Sequence, residues 1–132
     1  MKIGARAVAV GVAAAGLALT FAGSAAAANT GYVDNGYGNA YFQTTGDQLT
    51  VCDDRDDGKV VIARVQKWND ASRRWMAVGS NTAPGGAGVD CDRKGVNVTP
   101  DSSVARLHIW AKKDGRHVAG SDKYGPQFKA NL

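Results

Sequence analysis

The segment from Ser103 to Lys113 alternates regularly between two sets of side chains. Successive side chains of a β-strand point to opposite faces of the sheet, so a period of two predicts a strand with one apolar face. Asp114-Gly115 follows and predicts a two-residue hairpin turn, because both central residues of that turn need a positive φ. We therefore expect a return strand from Arg116 to Tyr124, with His108 paired with Ser121. The apolar set is Ala105, Leu107, Ile109 and Ala111, and the other set is Val104, Arg106, His108, Trp110 and Lys112.

Further strands are predicted along most of the chain after residue 28. Asn29 to Asn39 is predicted as a loose leader or an early edge strand, and the tail from Gly125 to Leu132 as a short edge strand. Asp53 to Gly58 reads as a polar loop and Ser80 to Gly88 as a flexible one. The fold class is therefore all-β, a single antiparallel β-sandwich or small barrel of about seven to eight strands. The other predicted strands are Ala40–Thr44, Gln48–Cys52, Lys59–Trp68, Arg74–Val78, Val89–Asp92 and Val96–Val98.

The composition agrees with a β fold. All 12 acidic residues are Asp, and the chain contains no Glu. Glu suits helix surfaces, whereas Asp competes with the backbone for hydrogen bonds, so the chain is unlike a helical bundle. A hydrophobic fraction of 44% excludes a disordered chain. The two Cys are too few for a disulfide-dense miniprotein or a four-ligand zinc site.

Residues 1–28 have the three parts of a secretory signal peptide. Lys2 and Arg6 form a basic head, residues 7–21 are apolar, and residues 22–28 are small. We expect cleavage after Ala28, which leaves one β domain at 29–132 and predicts an extracellular location. The alternative is an uncleaved membrane anchor, since a span needs about 20 apolar residues. Cleavage removes the apolar segment, so we expect no membrane segment in the mature protein, and it lowers the net charge from +4 to +2. This low net charge, with basic and acidic residues mixed along the chain, argues against nucleic-acid binding.

Cys52 and Cys91 are the only cysteines. An even number of cysteines outside the cytosol predicts a disulfide. The bond would close a loop of about 40 residues, which the chain-entropy model values at about 4 kcal/mol. The alternative is a reactive thiol, which needs a basic or helix-terminal setting. The four Asp that follow Cys52 disfavour a thiolate there.

The sequence predicts no catalytic residues, no metal site and no cofactor. In an ideal hairpin His108 and His117 lie about 13 Å apart, too far for one metal ion or one proton relay. Asp53 to Gly58 resembles a calcium loop, but Arg55 and Arg64 occupy positions where an EF-hand requires oxygen ligands. A shallower cation site stays open as an alternative to a solvated loop whose Gly58 adopts a positive φ.

The aromatic residues provide the candidate ligand-binding surface. Trp68 and Trp75 fall in or beside predicted strands, and Trp110 shares one strand face with Arg106 and His108. If that face is exposed, these five side chains could contact a sugar, a cell-wall polymer or a protein. The alternative is that the Trp residues belong to the core of a small sandwich.

The segment from Gly46 to Tyr124 resembles small secreted β-rich proteins common in actinobacteria. The resemblance rests on the signal peptide, the G-D-x-L-x-V strand that begins at Gly46, the acidic loop that ends in Asp57-Gly58, and the later long hairpin. It implies a secreted location and a β-sandwich-like fold. It implies no activity and transfers no catalytic residue.

These observations lead to two functional hypotheses. The first is a secreted, non-enzymatic protein that acts by surface contacts with an extracellular polymer or protein. The alternative is a small secreted hydrolase whose Asp and His residues lie in loops. A proteinase inhibitor with Ser80 to Gly88 as its reactive loop is disfavoured by the three Gly in that loop. The ligand and the oligomeric state are not determined by the sequence.

Overall fold

The computed structural model describes residues 31–85 and 89–130. The predicted signal peptide, residues 1–28, therefore lies outside the described residues. The described part of the chain is all-β, and none of it forms a helix that could cross a membrane. Its strands are β1 (Gly31–Asp34), β2 (Gly38–Gln43), β3 (Gln48–Asp53), β4 (Lys59–Asn69), β5 (Arg74–Ala83), β6 (Asp90–Gly95), β7 (Val104–Lys113), β8 (Arg116–His117), β9 (Lys123–Tyr124) and β10 (Phe128–Lys129).

The strands form two antiparallel sheets, as the sequence predicts for a sandwich or small barrel. The smaller sheet has the order β1-β2-β3-β6, and the larger sheet has the order β10-β7-β4-β5. One edge of β7 pairs with β4 along most of its length. The opposite edge pairs in turn with the three two-residue strands β8, β9 and β10. The segment after the hairpin thus covers an edge of β7 in short pieces.

The core lies between the two sheets and follows the alternation of the strands. Phe42 of the smaller sheet stacks on Phe128, with ring centres 5.6 Å apart. The predicted inner face of β7 is buried throughout. The fully buried apolar residues of the two facing sheets include Ala40, Leu49, Val51, Val61, Ala63, Val65, Ala105, Leu107 and Ile109.

The predicted hairpin turn is confirmed, but its return strand is wrong after His117. Asp114 and Gly115 have φ values of 49° and 76°. The return strand then stops, and His108 pairs with Tyr124 instead of Ser121. The physical reason is that the buried Ser121 hydroxyl accepts a hydrogen bond from the Ala111 amide at 3.0 Å and donates one to the Val118 carbonyl at 2.6 Å. The Ser121 side chain therefore takes the place of a backbone carbonyl as the acceptor for the Ala111 amide, and the strand pairing is interrupted.

Two other predicted segments are wrong. Residues 80–83 continue β5 and are not a loop, because Asn81 bridges the sheets by donating to the Leu49 and Asp92 carbonyls at 3.3 and 3.0 Å. Residues 96–98 are not a strand. Val96 and Val98 are nevertheless buried. Val96 packs so closely on Gly79 that a Cβ added to this glycine would lie 2.9 Å from the Val96 side chain. The two apolar residues that alternate with Asn97 in the sequence are therefore explained by burial without strand pairing.

The predicted disulfide is present. Cys52 on β3 lies directly opposite Cys91 on β6, with their Cα atoms 4.0 Å apart. The two strands are neighbours in the smaller sheet, which is one of the two arrangements that the sequence allows. The bond fastens β6, an exposed edge strand, to the middle of the domain.

Candidate functional site: an aromatic–guanidinium ladder

Seven side chains stack in one continuous row on the outer face of the larger sheet. We call this row the ladder, and its members in order are Arg64, Trp110, His108, Tyr124, Arg106, Trp75 and Trp68. The row crosses four strands, β4, β7, β9 and β5. It therefore joins residues that are far apart in the chain into one surface.

The distances along the ladder are those of direct stacking. The His108 ring lies 4.8 Å from the Trp110 ring and 4.4 Å from the Tyr124 ring, centre to centre. The Arg106 guanidinium carbon lies 4.2 Å from the Tyr124 ring centre and 4.3 Å from that of Trp75. Arg64 lies 4.6 Å from Trp110 at one end, and Trp68 meets Trp75 edge to face at 5.4 Å at the other.

Strand register produces this order. Arg64 pairs with His108, and Trp68 pairs with Trp75, across neighbouring strands. His108 pairs in turn with Tyr124 on β9. Directly opposed side chains on one sheet face lie about 4.5–5.5 Å apart at Cβ, which is the distance that ring stacking requires. Two of the ladder contacts, His108–Tyr124 and Trp68–Trp75, are therefore direct cross-strand pairs, His108 and Trp110 are two residues apart on β7, and the remaining contacts are not direct register pairs.

All five residues that the sequence proposes for ligand binding lie in the ladder. The three Trp side chains are half-buried on the outer face and are not part of the core between the sheets. Sequence reasoning left out Arg64 and Tyr124. Arg64 has the same alternation phase as Trp68, which is a usable signal, whereas the position of Tyr124 depends on the break in the return strand.

The ring faces of the ladder are largely occupied by the ladder itself. Trp110 lies between Arg64 and His108, and Tyr124 lies between His108 and Arg106. A guanidinium that stacks flat on a ring still directs its N–H groups outward in its own plane. The ladder therefore offers a ligand ring edges and guanidinium N–H groups at its centre, and a more open Trp surface at its Trp68 end.

Two shallow depressions flank the ladder. One has a volume of about 330 Å³ and lies between Arg64, Trp110 and residues 77–80 of β5. The other has a volume of about 220 Å³ and is lined by Trp68, Trp75, Val104 and Gln127. β5 carries a bulge opposite Val65 and Gln66, which displaces it beside the first depression. Each end of the ladder thus adjoins a concave surface.

The two histidines share one carboxylate, a contact that the ideal hairpin with its spacing of about 13 Å did not predict. Asp122 Oδ1 lies 2.7 Å from His108 Nε2, and Asp122 Oδ2 lies 2.5 Å from His117 Nε2. The reason is again the break at Ser121, which places Asp122 between them. Burial lowers the pKa of His108, against the Asp122 hydrogen bond, which raises it, and nearby Arg64 lowers it further.

Asp122 has the complementary shift. Burial acts to raise the pKa of Asp122, but the hydrogen bonds with His108 and His117 outweigh that effect and hold the pKa below its usual value. The neighbouring Ser121 hydroxyl is not available to this cluster as a nucleophile, because it is buried and engaged by backbone groups. Neither of the two depressions that flank the ladder is lined by His108, His117 or Asp122.

The acidic loop forms local turns. Asp53 Oδ1 accepts from the Arg55 amide and Asp57 Oδ1 accepts from the Lys59 amide, both at 3.0 Å, and Gly58 has the expected positive φ. Asp53 is buried, and its Oδ2 has no hydrogen-bond partner. Burial raises its pKa, and Asp57 and Asp54 add to this. Within 31–85 and 89–130, no group of three or more metal-ligating side chains is arranged to hold a metal ion.

Comparison with known proteins gives no match: no family model matches the chain, and neither a curated protein nor a solved structure is significantly similar to it. The functional argument therefore depends on the ladder and its surroundings.

Proposed function

We propose that this protein is a secreted, non-enzymatic binding protein that contacts an extracellular polymer through the ladder face of its larger sheet. The observation that carries the proposal is the ladder itself. Seven large side chains are stacked in order on a face that points away from the core. Surface aromatic and Arg side chains of this kind are the ones that dominate binding energy at interfaces.

The stacking makes the surface rigid before a ligand arrives. Each cation–π contact at an exposed site contributes about 0.5–1 kcal/mol, and each aromatic pair about 0.5–1.5 kcal/mol beyond its buried area. Side chains that are already ordered lose little conformational entropy on binding, which favours affinity. An extended face with a depression at each end suits an extended ligand such as a polymer.

Secretion is part of the proposal. It is supported by the predicted signal at 1–28 and by the disulfide, since such bonds persist in oxidising compartments. Mass spectrometry of culture supernatant should find an N-terminus at or within two residues of Asn29. Recovery of the full-length chain from membranes alone would contradict both the cleavage and the location.

The binding test uses the secreted form of the protein on insoluble peptidoglycan, chitin and cellulose. Tyr124→Ala should weaken binding because it removes the ring between His108 and Arg106. Tyr32→Ala is a matched control, because Tyr32 is equally exposed (53% against 52%) but lies on β1 of the smaller sheet.

Two outcomes would contradict the proposal. Equal loss of binding in the two Tyr variants would show that the polymer does not bind specifically at the ladder. Binding to none of the polymers, together with specific capture of one protein from culture supernatant, would replace the polymer with a protein partner.

The alternative, a small secreted hydrolase, has one observation in its favour: Asp122 contacts both histidines. His108 is enclosed between two rings, so His117 is the histidine available to act as an acid or base. Hydrolysis of ester, peptide or glycoside model substrates that is lost in His117→Ala would establish the hydrolase and displace the binding proposal.

A further inference from the structure

We propose that the polymer is a polyuronate, an acidic polysaccharide whose carboxylates bind Arg64 and Arg106 while one of its sugar rings occupies the Trp68–Trp75 depression. This inference rests on the function proposed above and specifies its ligand. It is carried by three features of the ladder face: no carboxylate of the described residues forms an ion pair with either guanidinium, the two guanidiniums are held apart, and the depression has a suitable lining.

The first feature is that neither guanidinium has a carboxylate partner. The ion pairs of the described residues join Lys59 to Asp57, and both histidines to Asp122. Arg106 donates through Nε to the neutral amide oxygen of Gln66 at 2.8 Å. The Nε of Arg64 is buried without an acceptor, so only the terminal N–H groups of Arg64 can bind an anion from outside. An Arg side chain has five N–H donors and no acceptor, so these two groups are matched by an anionic ligand.

The second feature is the spacing of the two charges. Arg64 is the cross-strand partner of His108, and Arg106 lies two residues from His108 on the same strand. At the backbone such diagonal neighbours are about 7–8 Å apart, but in the ladder the three rings of Trp110, His108 and Tyr124 lie between the two guanidiniums. Each guanidinium is held by stacking, Arg64 on Trp110 and Arg106 between Tyr124 and Trp75. Two fixed cations at this separation suit a chain with repeated negative charges better than one small anion.

The third feature is the depression at the Trp68 end of the ladder. Trp68 and Trp75 provide apolar ring surface, and Gln127 provides an amide that can donate to and accept from hydroxyl groups. This combination suits a pyranose ring, which has apolar C–H faces and hydroxyl edges. Arg106 lies over the Trp75 ring that lines the depression. A uronate ring bound there would have its carboxylate beside Arg106, which is why we assign a polyuronate and not a polyphosphate.

The test compares polygalacturonate with the same polymer after complete methyl esterification. The two polymers have the same sugar rings, but the ester form has no charge. We expect binding to the acid form, little binding to the ester, and weakening as NaCl is raised, because salt screens exposed charges. Arg106→Gln and Arg64→Gln should each weaken binding roughly tenfold or more, the effect of losing a hydrogen bond to a charged group.

Arg93→Gln is the matched control. It removes the same charge from an exposed position on β6 of the smaller sheet, away from the ladder. Arg106→Lys keeps the charge but loses the planar stacked fork, so it should also weaken binding if geometry matters. Thermal unfolding of each variant verifies that it is folded.

Four outcomes would overturn the inference. Equal binding of both polymer forms would show that the ladder binds the polymer without recognising its carboxylates. An equal loss in Arg93→Gln would mean that only net charge attracts the polymer. Binding to polyphosphate without binding to polygalacturonate would replace the uronate with a phosphate ligand. Binding to none of these polymers, nor to peptidoglycan, chitin or cellulose, would end both this inference and the proposed polymer-binding function.

Discussion

Asp122 Oδ1 lies 2.7 Å from Nε2 of His108, a residue 14 positions earlier in the chain. His108 is an inner member of the ladder, with Trp110 on one side and Tyr124 on the other. The carboxylate therefore sets the orientation of the ring on which the rest of the stack depends. The same carboxylate extends to His117 on the short strand β8.

Replacement of Asp122 should destabilise the fold. In Asp122→Ala the buried Nε2 of His108 loses its partner, and an unsatisfied buried polar group costs about 1–3 kcal/mol. We expect a decrease of that size in the free energy of unfolding, measured by urea denaturation at pH 7. Asp101→Ala removes an exposed carboxylate from a loop and should have no measurable effect. Equal stability of the two variants would contradict a structural role for the His108–Asp122 bond.

The imidazole of His108 should titrate below the ordinary histidine value of 6.5, because burial lowers its pKa. NMR of the ring protons as a function of pH measures this directly. Asp122→Asn should lower the pKa of His108 further, since the Asp122 hydrogen bond is the main factor that raises it. A His108 pKa above 6.5 in the unmodified protein would contradict this prediction.

The same shift predicts how stability depends on pH. Below pH 6.5 the unfolded chain binds a proton at His108 that the folded chain does not bind, so protonation favours unfolding. The melting temperature should therefore fall as the pH is lowered from 7.5 to 5.5. His108→Gln should reduce this dependence, whereas His117→Gln, which leaves His108 in place, should retain it. An unchanged dependence in His108→Gln would assign the effect to another group.

Asp53→Asn should stabilise the protein at neutral pH. Burial and neighbouring Asp residues raise the pKa of Asp53, so its ionisation opposes folding once the pH exceeds that raised value. The amide can keep the hydrogen bond that Asp53 Oδ1 accepts from the Arg55 amide. We expect a gain on the order of 1 kcal/mol at pH 7, since a buried unpaired charge costs more than a neutral amide. The gain should disappear below about pH 4, where the carboxyl is protonated in the folded and unfolded chains.

Asp56→Asn is the control for this prediction, because Asp56 lies exposed in the same loop. Urea denaturation at several pH values compares the two variants. A loss of stability in Asp53→Asn at pH 7 would show that the ionised carboxylate is needed in the folded state.

The Cys52→Ser, Cys91→Ser double variant should lose about 2–5 kcal/mol of stability, as is usual for a native disulfide in a small domain. The bond joins two strands that lie side by side. Without it, β6 is held by its backbone pairing with β3 and by side-chain contacts. Urea unfolding of the oxidised and reduced proteins measures the effect. The double variant is its own control, since a reductant should not change it. Uptake of two equivalents of thiol label by the native protein would contradict the bond.

The parts of the fold that depend on neighbouring residues could be predicted from the sequence. The alternation of β7 assigns Leu107 and Ile109 to one face and Trp110 to the other, because side-chain direction in a strand changes at every residue. The turn at Asp114-Gly115 was equally predictable, because its backbone angles suit those two residue types. The position of Tyr124 was not, since one buried hydroxyl on Ser121 ends the return strand early and shifts the pairing of His108.

The sequence by itself determined most of the longer strands, the tight hairpin turn and the identity of the bonded cysteines, and it assigned Arg106, His108 and Trp110 to one strand face. Only the tertiary structure decided that Cys91 lies opposite Cys52, that Asp122 lies between the two histidines, and that these separate strand faces join into one ladder. The physical reason is that alternation is a local property of the backbone. The ladder depends on register between distant strands, as in the hydrogen bond from Arg106 to Gln66 across 40 positions of the chain, and register is set by core packing and by buried hydrogen bonds.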